Sequence, residues 1–172
     1  MTAQVVIRPA RQDTKLDAVR QLCWAYRDFL LNASPQDAEI TQAFYPVPKY
    51  TALMARLAEV HARPRGIILL AEVDGQAVGC GMTHGLDMRT AEIKRVFVSA
   101  SARGLGVASK LCRALEEQAR SDGYARIVLD TSKSLLAAQR LYTRLGYSAR
   151  GPYQPIPDEV LPFLLFFEKT LR

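Results

Sequence analysis

Two hydrophobic periods divide this chain. Apolar residues recur three and four apart through Leu16, Val19, Leu22/Cys23, Tyr26 and Leu30, and again through Leu53, Met54, Leu57 and Val60, the spacing of one helix face. The first run comes after Val5-Val6-Ile7, read as a strand ending at Pro9, and Thr14-x-x-Asp17 resembles a capping box at its start. Ser34-Pro35 marks a second helix start. Pro46 to Pro48 interrupts the helical pattern, so the next helix is expected from about Tyr50 to His61.

After Pro64-Arg65-Gly66 the pattern changes. Ile67 to Val73, Asp74-Gly75 and Ala77 to Thr83 form a hairpin signal, since Asp-Gly suits a tight antiparallel turn. A further strand, Ala91 or Glu92 to Val98, precedes a glycine turn. The helix beyond it carries Leu105, Ala108, Leu111/Cys112, Leu115 and Ala119 in register to about Asp122, with Gly123 at the C′ position. Arg126 to Asp130 is the next strand, a shorter helix ends at Gly146, and Phe163 to Leu171 is the last strand. The order βααβββαβαβ, with one or two closing strands, predicts a mixed sheet with helices on its faces, α/β or α+β.

Length and composition narrow the classes. The chain's 172 residues suit one domain, 1–172, with a substantial core. With 49% hydrophobic and 23% charged residues it reads as an ordinary soluble globular protein. No basic start leads into a long apolar stretch, and the run Phe163 to Phe167 is too short to cross a bilayer. Cys23, Cys80 and Cys112 are odd in number and contain no CxxC pair. They fit buried thiols in a reducing cytoplasm better than a disulfide frame or a metal site, so no metal is implied.

The charge is concentrated. Arg89 to Arg150 holds twelve Lys/Arg against five Asp/Glu, while the rest of the chain holds eleven against twelve. The excess surrounds the glycine turn Arg103-Gly-Leu-Gly-Val-Ala108, where an anionic ligand would favour it. A turn of this kind feeding a helix aims several free N–H groups and the positive end of the helix dipole at one spot, which suits phosphate. No basic run is interleaved with aromatics and no nucleic-acid motif is visible, so a nucleic-acid partner is not expected.

A dinucleotide-binding turn is one reading, with Gly104-Leu-Gly106 opening a helix and Asp130 ending the next strand as a ribose-binding acid. Against it, Ser109 stands at the third glycine position and the preceding strand carries Glu92, Lys94 and Arg95, where a central parallel strand is usually apolar. Five residues, Ser99 to Arg103, also separate strand from glycines.

Two motifs together resemble the GNAT superfamily of acetyl-CoA-dependent N-acetyltransferases. One is Arg103-Gly-Leu-Gly106-Val-Ala108, similar to that family's Arg/Gln-x-x-Gly-x-Gly/Ala turn after the fourth strand. The other is Ala138-x-x-Leu141-Tyr142-x-x-Leu145-Gly146-Tyr147, similar to its LYxxxGF segment. The chain departs from the pattern at Leu135, where many relatives carry asparagine, with Ser132 and Ser134 as nearby hydroxyls, and at Tyr147, usually phenylalanine.

The resemblance implies a GNAT-like fold with a mostly antiparallel central sheet, and transfer of an acetyl group from acetyl-CoA to a primary amine by direct attack. Backbone N–H groups of Arg103, Gly104, Leu105, Gly106, Val107 and Ala108 would hold the CoA pyrophosphate. Ser109 would add a hydroxyl, and Val96, Phe97 and Val98 would meet the pantetheine as an added strand. Tyr142 would serve the leaving sulfur as acid or hydrogen-bond donor. Glu92 would be the base for the amine, on the same strand face as Lys94, Val96 and Val98 by period-2 alternation. Glu92 suits equally an ion pair with Lys94 or Arg95, and Tyr142 a core position. His84 is a second candidate base, and His61 reads as an exposed helix-end residue. Acceptor specificity would come from the first two helices, the segment Phe44 to Tyr50 and the proline-rich stretch Arg150 to Pro162, with Tyr45, Tyr50 and Tyr153 as candidate lining. Dimers are common in the family. A CoA-binding module without turnover remains the alternative from a different class.

Overall fold

The computed structural model describes residues 2–172. Its strands are β1 (Val5–Pro9), β2 (Ile67–Val73), β3 (Gln76–Gly85), β4 (Thr90–Val98), β5 (Arg126–Ser132), β6 (Ser148–Arg150) and β7 (Leu164–Thr170). The helices are α1 (Asp13–Leu31), α2 (Pro35–Phe44), α3 (Val47–Ala55), α4 (Leu57–Val60), α5 (Val107–Ser121) and α6 (Leu136–Arg144). One seven-stranded sheet runs β1-β2-β3-β4-β5-β7-β6, antiparallel throughout except for the parallel pair β4 and β5. A single parallel pairing excludes the doubly wound sheet that a dinucleotide-binding turn requires.

Both faces of the sheet are covered. On one face Val107, Leu111, Leu115 and Ala119 of α5 pack on Leu69, Ala71, Ile93, Ile127 and Leu129. On the other, Leu16, Val19, Leu22 and Cys23 of α1, with Tyr50, Met54 and Leu57, pack on Ile68, Leu70, Cys80 and Met82. Successive residues of β2 therefore feed opposite cores, and the strand reads as a continuous apolar run. The β2–β3 turn has the expected geometry, with φ of 51° at Asp74 and 80° at Gly75, both positive as a type I′ turn demands.

Helix ends obey local chemistry in several places. Ser34 caps α2, accepting from the Asp37 N–H at 3.0 Å. Helices α5 and α6 both close in Schellman turns around Gly123 and Gly146, where Tyr124 N–H reaches Ala119 O at 3.1 Å and Tyr147 N–H reaches Tyr142 O at 3.0 Å.

Three expectations need correction. Helix α1 starts one residue before Thr14, at Asp13, and Thr14-x-x-Asp17 is no capping box: Gln12 is the N-cap, without a side-chain bond. The helical run expected over Tyr50 to His61 begins earlier, at Val47, because Pro46 and Pro48 fall at its N-cap and first turn, which need no N–H; it then breaks at Arg56. His61 is 3% exposed, not a solvent-facing helix end. Its Nδ1 lies 2.9 Å from Thr83 O, and burial lowers its pKa to about 4, keeping it neutral.

The fourth correction shapes the site. Cys80 pairs with Phe97 and Met82 with Lys94, so Gly81 alone stands across from Arg95 and Val96. This β-bulge, with Arg95 at φ 53°, reverses the alternation partway along β4. Glu92 and Val96 consequently do not share a face: Val96 and Val98 pack toward α5, Phe97 toward α1.

Candidate active site

The parallel pair opens into a cleft. β4 is bonded to β5 only through Thr90–Glu92 opposite Arg126–Val128. Beyond Glu92, β5 stays with β7 and β4 with β3, leaving the β5-side backbone groups of β4 free of a strand partner. The opening has a volume of about 760 Å³, ample for an extended cofactor arm. Val96, Phe97 and Val98 form one wall; Leu135, Leu136, Leu141 and Tyr142 belong to the opposite one.

The glycine turn lies at one end of this cleft. Gly104 and Gly106 have φ of 83° and 74°, a region that L side chains rarely occupy. Gly106 is the N-cap of α5, whose first bond runs from Lys110 N–H to Gly106 O at 3.1 Å. The N–H groups of the first turn, Val107 to Ser109, thus lack helical partners and face the opening. A Cβ on Gly104 or Gly106 would meet no protein atom within 4 Å, so any crowding there would be against a ligand. Arg103, Val107, Ala108 and Ser109 also border the cleft, whereas Leu105 is 43% exposed and does not. These backbone donors and the open edge of β4 fit a pyrophosphate joined to an amide-bearing arm.

Tyr142 is brought onto the cleft wall by α6 and packs edge-on against Tyr147 at 5.6 Å between ring centroids. Burial holds its hydroxyl well above the usual tyrosine range. Ser132 and Ser134, near the position where relatives carry asparagine, are occupied otherwise: their hydroxyls lie 3.1 Å apart, and Ser134 donates to Asp37 of α2.

Glu92 is fully buried and borders neither the cleft nor the smaller cavity beneath α1 and α2. His84 Nε2 donates to its Oε1 at 2.7 Å, Tyr153 donates to Oε2, and Lys94 Nζ stands 3.3 Å away. Burial alone would raise this carboxyl; the His84 bond, the Lys94 charge and the Tyr153 bond outweigh it and hold the pKa below the ordinary glutamate value. Glu92, His84 and Tyr153 are thus one hydrogen-bonded group. Asp130 differs. Burial raises it, Lys94 opposes that in part, and the negative charge of Glu92 adds to the rise. The nearby Tyr153 hydroxyl offsets a smaller share.

That smaller cavity, of about 140 Å³, opens beside the cleft with Tyr45 and Tyr50 in its lining. The two cavities share Tyr26, Ile93, Arg95, Asp130, Thr131 and Leu135. Asp130 is the one carboxylate on both walls. Sequence reasoning assigns it only the ribose-binding role that the sheet topology excludes, and misses Arg27, Asp37 and Arg95 as lining. The bulge and the packing of α1 and α2 bring these together, and neither leaves a short-range signal. No cysteine borders either cavity: all three are buried free thiols. No helix among the described residues is long and apolar enough to cross a membrane.

Comparisons agree with this geometry. The sequence model of the acetyltransferase (GNAT) family matches residues 34–147. The chain is 35% identical over 112 residues to an IAA acetyltransferase of Azospirillum brasilense, covering 64% of this chain and 71% of that one. It is 33% identical over 111 residues to N-acetylaspartate synthetase of Danio rerio, covering 63% of this chain and 38% of the longer relative. In fold it resembles an N-acetyltransferase of Thermoplasma acidophilum solved with coenzyme A, with a TM-score of 0.69 at 13% identity over 97% of this chain and 99% of that one. A Salmonella typhimurium structure containing acetyl-CoA gives 0.69 at 19% identity over 98% and 95%. With well over half its length matched and its fold shared nearly end to end, the chain belongs to the acetyltransferase (GNAT) family and is an N-acetyltransferase of that family.

Proposed function

We propose that this protein transfers an acetyl group from acetyl-CoA to a small primary amine by direct attack, with residues 1–172 acting as one domain. The observation that carries the reading is the pair of adjoining cavities, which share Tyr26, Ile93, Arg95, Asp130, Thr131 and Leu135 in their linings and have no thiol nucleophile in either. The single sheet drawing strands from residue 5 to residue 170 supports the one-domain reading.

The first turn of α5 and the glycine turn would bind the pyrophosphate, and the free edge of β4 at Val96 to Val98 the pantetheine amides. When bound, acetyl-CoA supplies a thioester whose carbonyl carbon forms the new C–N bond as the C–S bond breaks. The amine must first lose a proton, at a cost of about 4.6 kcal/mol at pH 7 for a lysine-like group. Asp130 is the direct proton acceptor, being on both walls and with its pKa raised by burial above the ordinary aspartate value. Glu92 acts behind it as a positioning residue whose fixed charge raises the proton affinity of Asp130. Tyr142 steadies the departing thiolate by hydrogen bonding. Its own pKa is too high for full proton transfer to a group near ~8.5.

Calorimetric titration with acetyl-CoA, with NADH as control, tests this reading together with CoA release in the presence of amines. Saturable acetyl-CoA binding that Gly106→Glu removes without unfolding the protein is the expected result. Absent binding, or binding without CoA release over a broad amine panel, overturns it.

A further inference from the structure

The smaller cavity holds charges whose pairing is incomplete. Arg27 of α1 is more than nine-tenths buried, at 8% exposure. Its Nε donates to Tyr45 O at 2.9 Å, and its guanidinium lies 6.0 Å from the Tyr50 ring centroid. Among the described residues no carboxylate stands within 4.0 Å of it, and neither Nη group has a protein hydrogen-bond partner. Arg95, which lines both cavities, is likewise without a carboxylate, and its guanidinium makes a 4.0 Å contact to Met82 Sδ. A buried guanidinium lacking a counter-ion is costly, and a bound anion would offset that cost.

The two cavity carboxylates are not equivalent. Asp37 is already held by the Ser34 hydroxyl at 2.7 Å and by Ser134. Asp130 stands at the mouth shared with the cleft, and the Tyr153 hydroxyl near it is already given to Glu92. The lining thus holds two guanidinium groups without carboxylate partners, Arg27 in this cavity alone and Arg95 on both cavities, together with the Asp130 carboxylate, which also borders the acetyl-donor cleft. About 140 Å³ is close to the size of a cavity that holds benzene. That bounds the acceptor's enclosed part to a handful of heavy atoms.

We propose that the acceptor is a compact amino acid, its carboxylate bound by Arg27 and Arg95 and its amine held at Asp130. This rests on the acetyltransferase reading and names the substrate class of that site. The planar fork of an arginine matches two carboxylate oxygens at once. Peptides and N-terminal residues of proteins, which lack the adjacent carboxylate, are disfavoured, as are simple amines and polyamines.

The test compares each of the L-amino acids and β-alanine with its carboxamide, which keeps the amine and removes the anion. CoA release is measured at saturating acetyl-CoA, and the better acceptor is titrated calorimetrically into CoA-loaded protein. We expect kcat/KM for the best amino acid to exceed that of its amide by about tenfold to a hundredfold, the range for hydrogen bonds to a charged group. Arg27→Gln and Arg95→Gln should each weaken amino-acid binding by a similar factor, with acetyl-CoA affinity retained in Arg27→Gln as evidence of a folded cleft. Amides, simple amines or peptides acetylated as well as amino acids would overturn the proposal while leaving the acetyltransferase reading intact. So would failure of every amino acid to bind or react while acetyl-CoA binds normally. Loss of acetyl-CoA binding by the wild-type protein instead overturns the reading beneath it. The wild-type comparison requires no variant to fold.

Discussion

Gly81 makes room for Val96. A Cβ at residue 81 would stand 3.3 Å from Val96 Cγ2 and 3.1 Å from Leu115 Cδ1, closer than most side-chain contacts. The missing side chain lets α5 lie near the sheet and lets the bulge at Arg95 turn Val96 toward it. Gly81→Val should therefore overpack this layer, lowering stability by about 1–3 kcal/mol and weakening acetyl-CoA binding as Val96 is displaced. Urea unfolding and calorimetry together check it. Stability lost with acetyl-CoA affinity intact would separate the bulge from the cleft.

Tyr142→Phe removes one hydrogen bond to a developing thiolate. Such bonds contribute about 1.5–3 kcal/mol, so kcat should fall roughly 10- to 100-fold, with little change in KM for acetyl-CoA. Initial-rate kinetics of CoA release decide this, and an unchanged kcat would leave Tyr142 a packing residue against Tyr147 and Phe167.

Asp130 has a raised folded-state pKa, with opposite consequences for rate and stability. As a base it works deprotonated, so kcat/KM should rise with pH through that raised value, and Asp130→Asn should lose this acidic limb along with most activity. Stability runs the other way. A carboxyl raised on folding contributes stability that is full below its unfolded value, 3.8, and is lost as pH rises through the folded value. Asp130→Asn should thus melt higher than wild type at neutral pH, and the gain should vanish in acid. Thermal unfolding across pH reads it directly; a lower melting temperature at pH 7 would contradict the assignment.

Glu92 carries the opposite shift. Its depressed pKa contributes stability present above the unfolded value, 4.5, and lost as pH falls through the folded one. Glu92→Gln should be less stable than wild type at neutral pH, with the difference shrinking in acid. Because the charge of Glu92 raises Asp130, the variant should also move the acidic limb of the rate profile to lower pH while retaining turnover. Loss of turnover at every pH would make Glu92 the base itself.

Features set by neighbouring residues were legible in the sequence: the Asp74-Gly75 hairpin, the amphipathic face of α5, the glycine turn and the α6 segment around Tyr142. In each, the physics acts over a few positions, through positive φ, helix period or unpaired N–H groups. That is why nine of the ten residues expected at a cofactor, Val96 to Val98 and the turn without Leu105, line one cleft. What the tertiary structure alone decided depends on contacts between distant segments. The bulge at Arg95 needs Gly81 across the strand pair, and it put Glu92 and Val96 on different faces against simple alternation. His61 is buried because it packs on the strand carrying Thr83, not because of anything beside it in the chain. Arg27, Arg95 and Asp130 lie tens of residues apart and meet only where β4 and β5 diverge beneath α1 and α2. Local sequence pattern has no means of encoding that meeting, since burial and charge pairing there belong to the assembled fold.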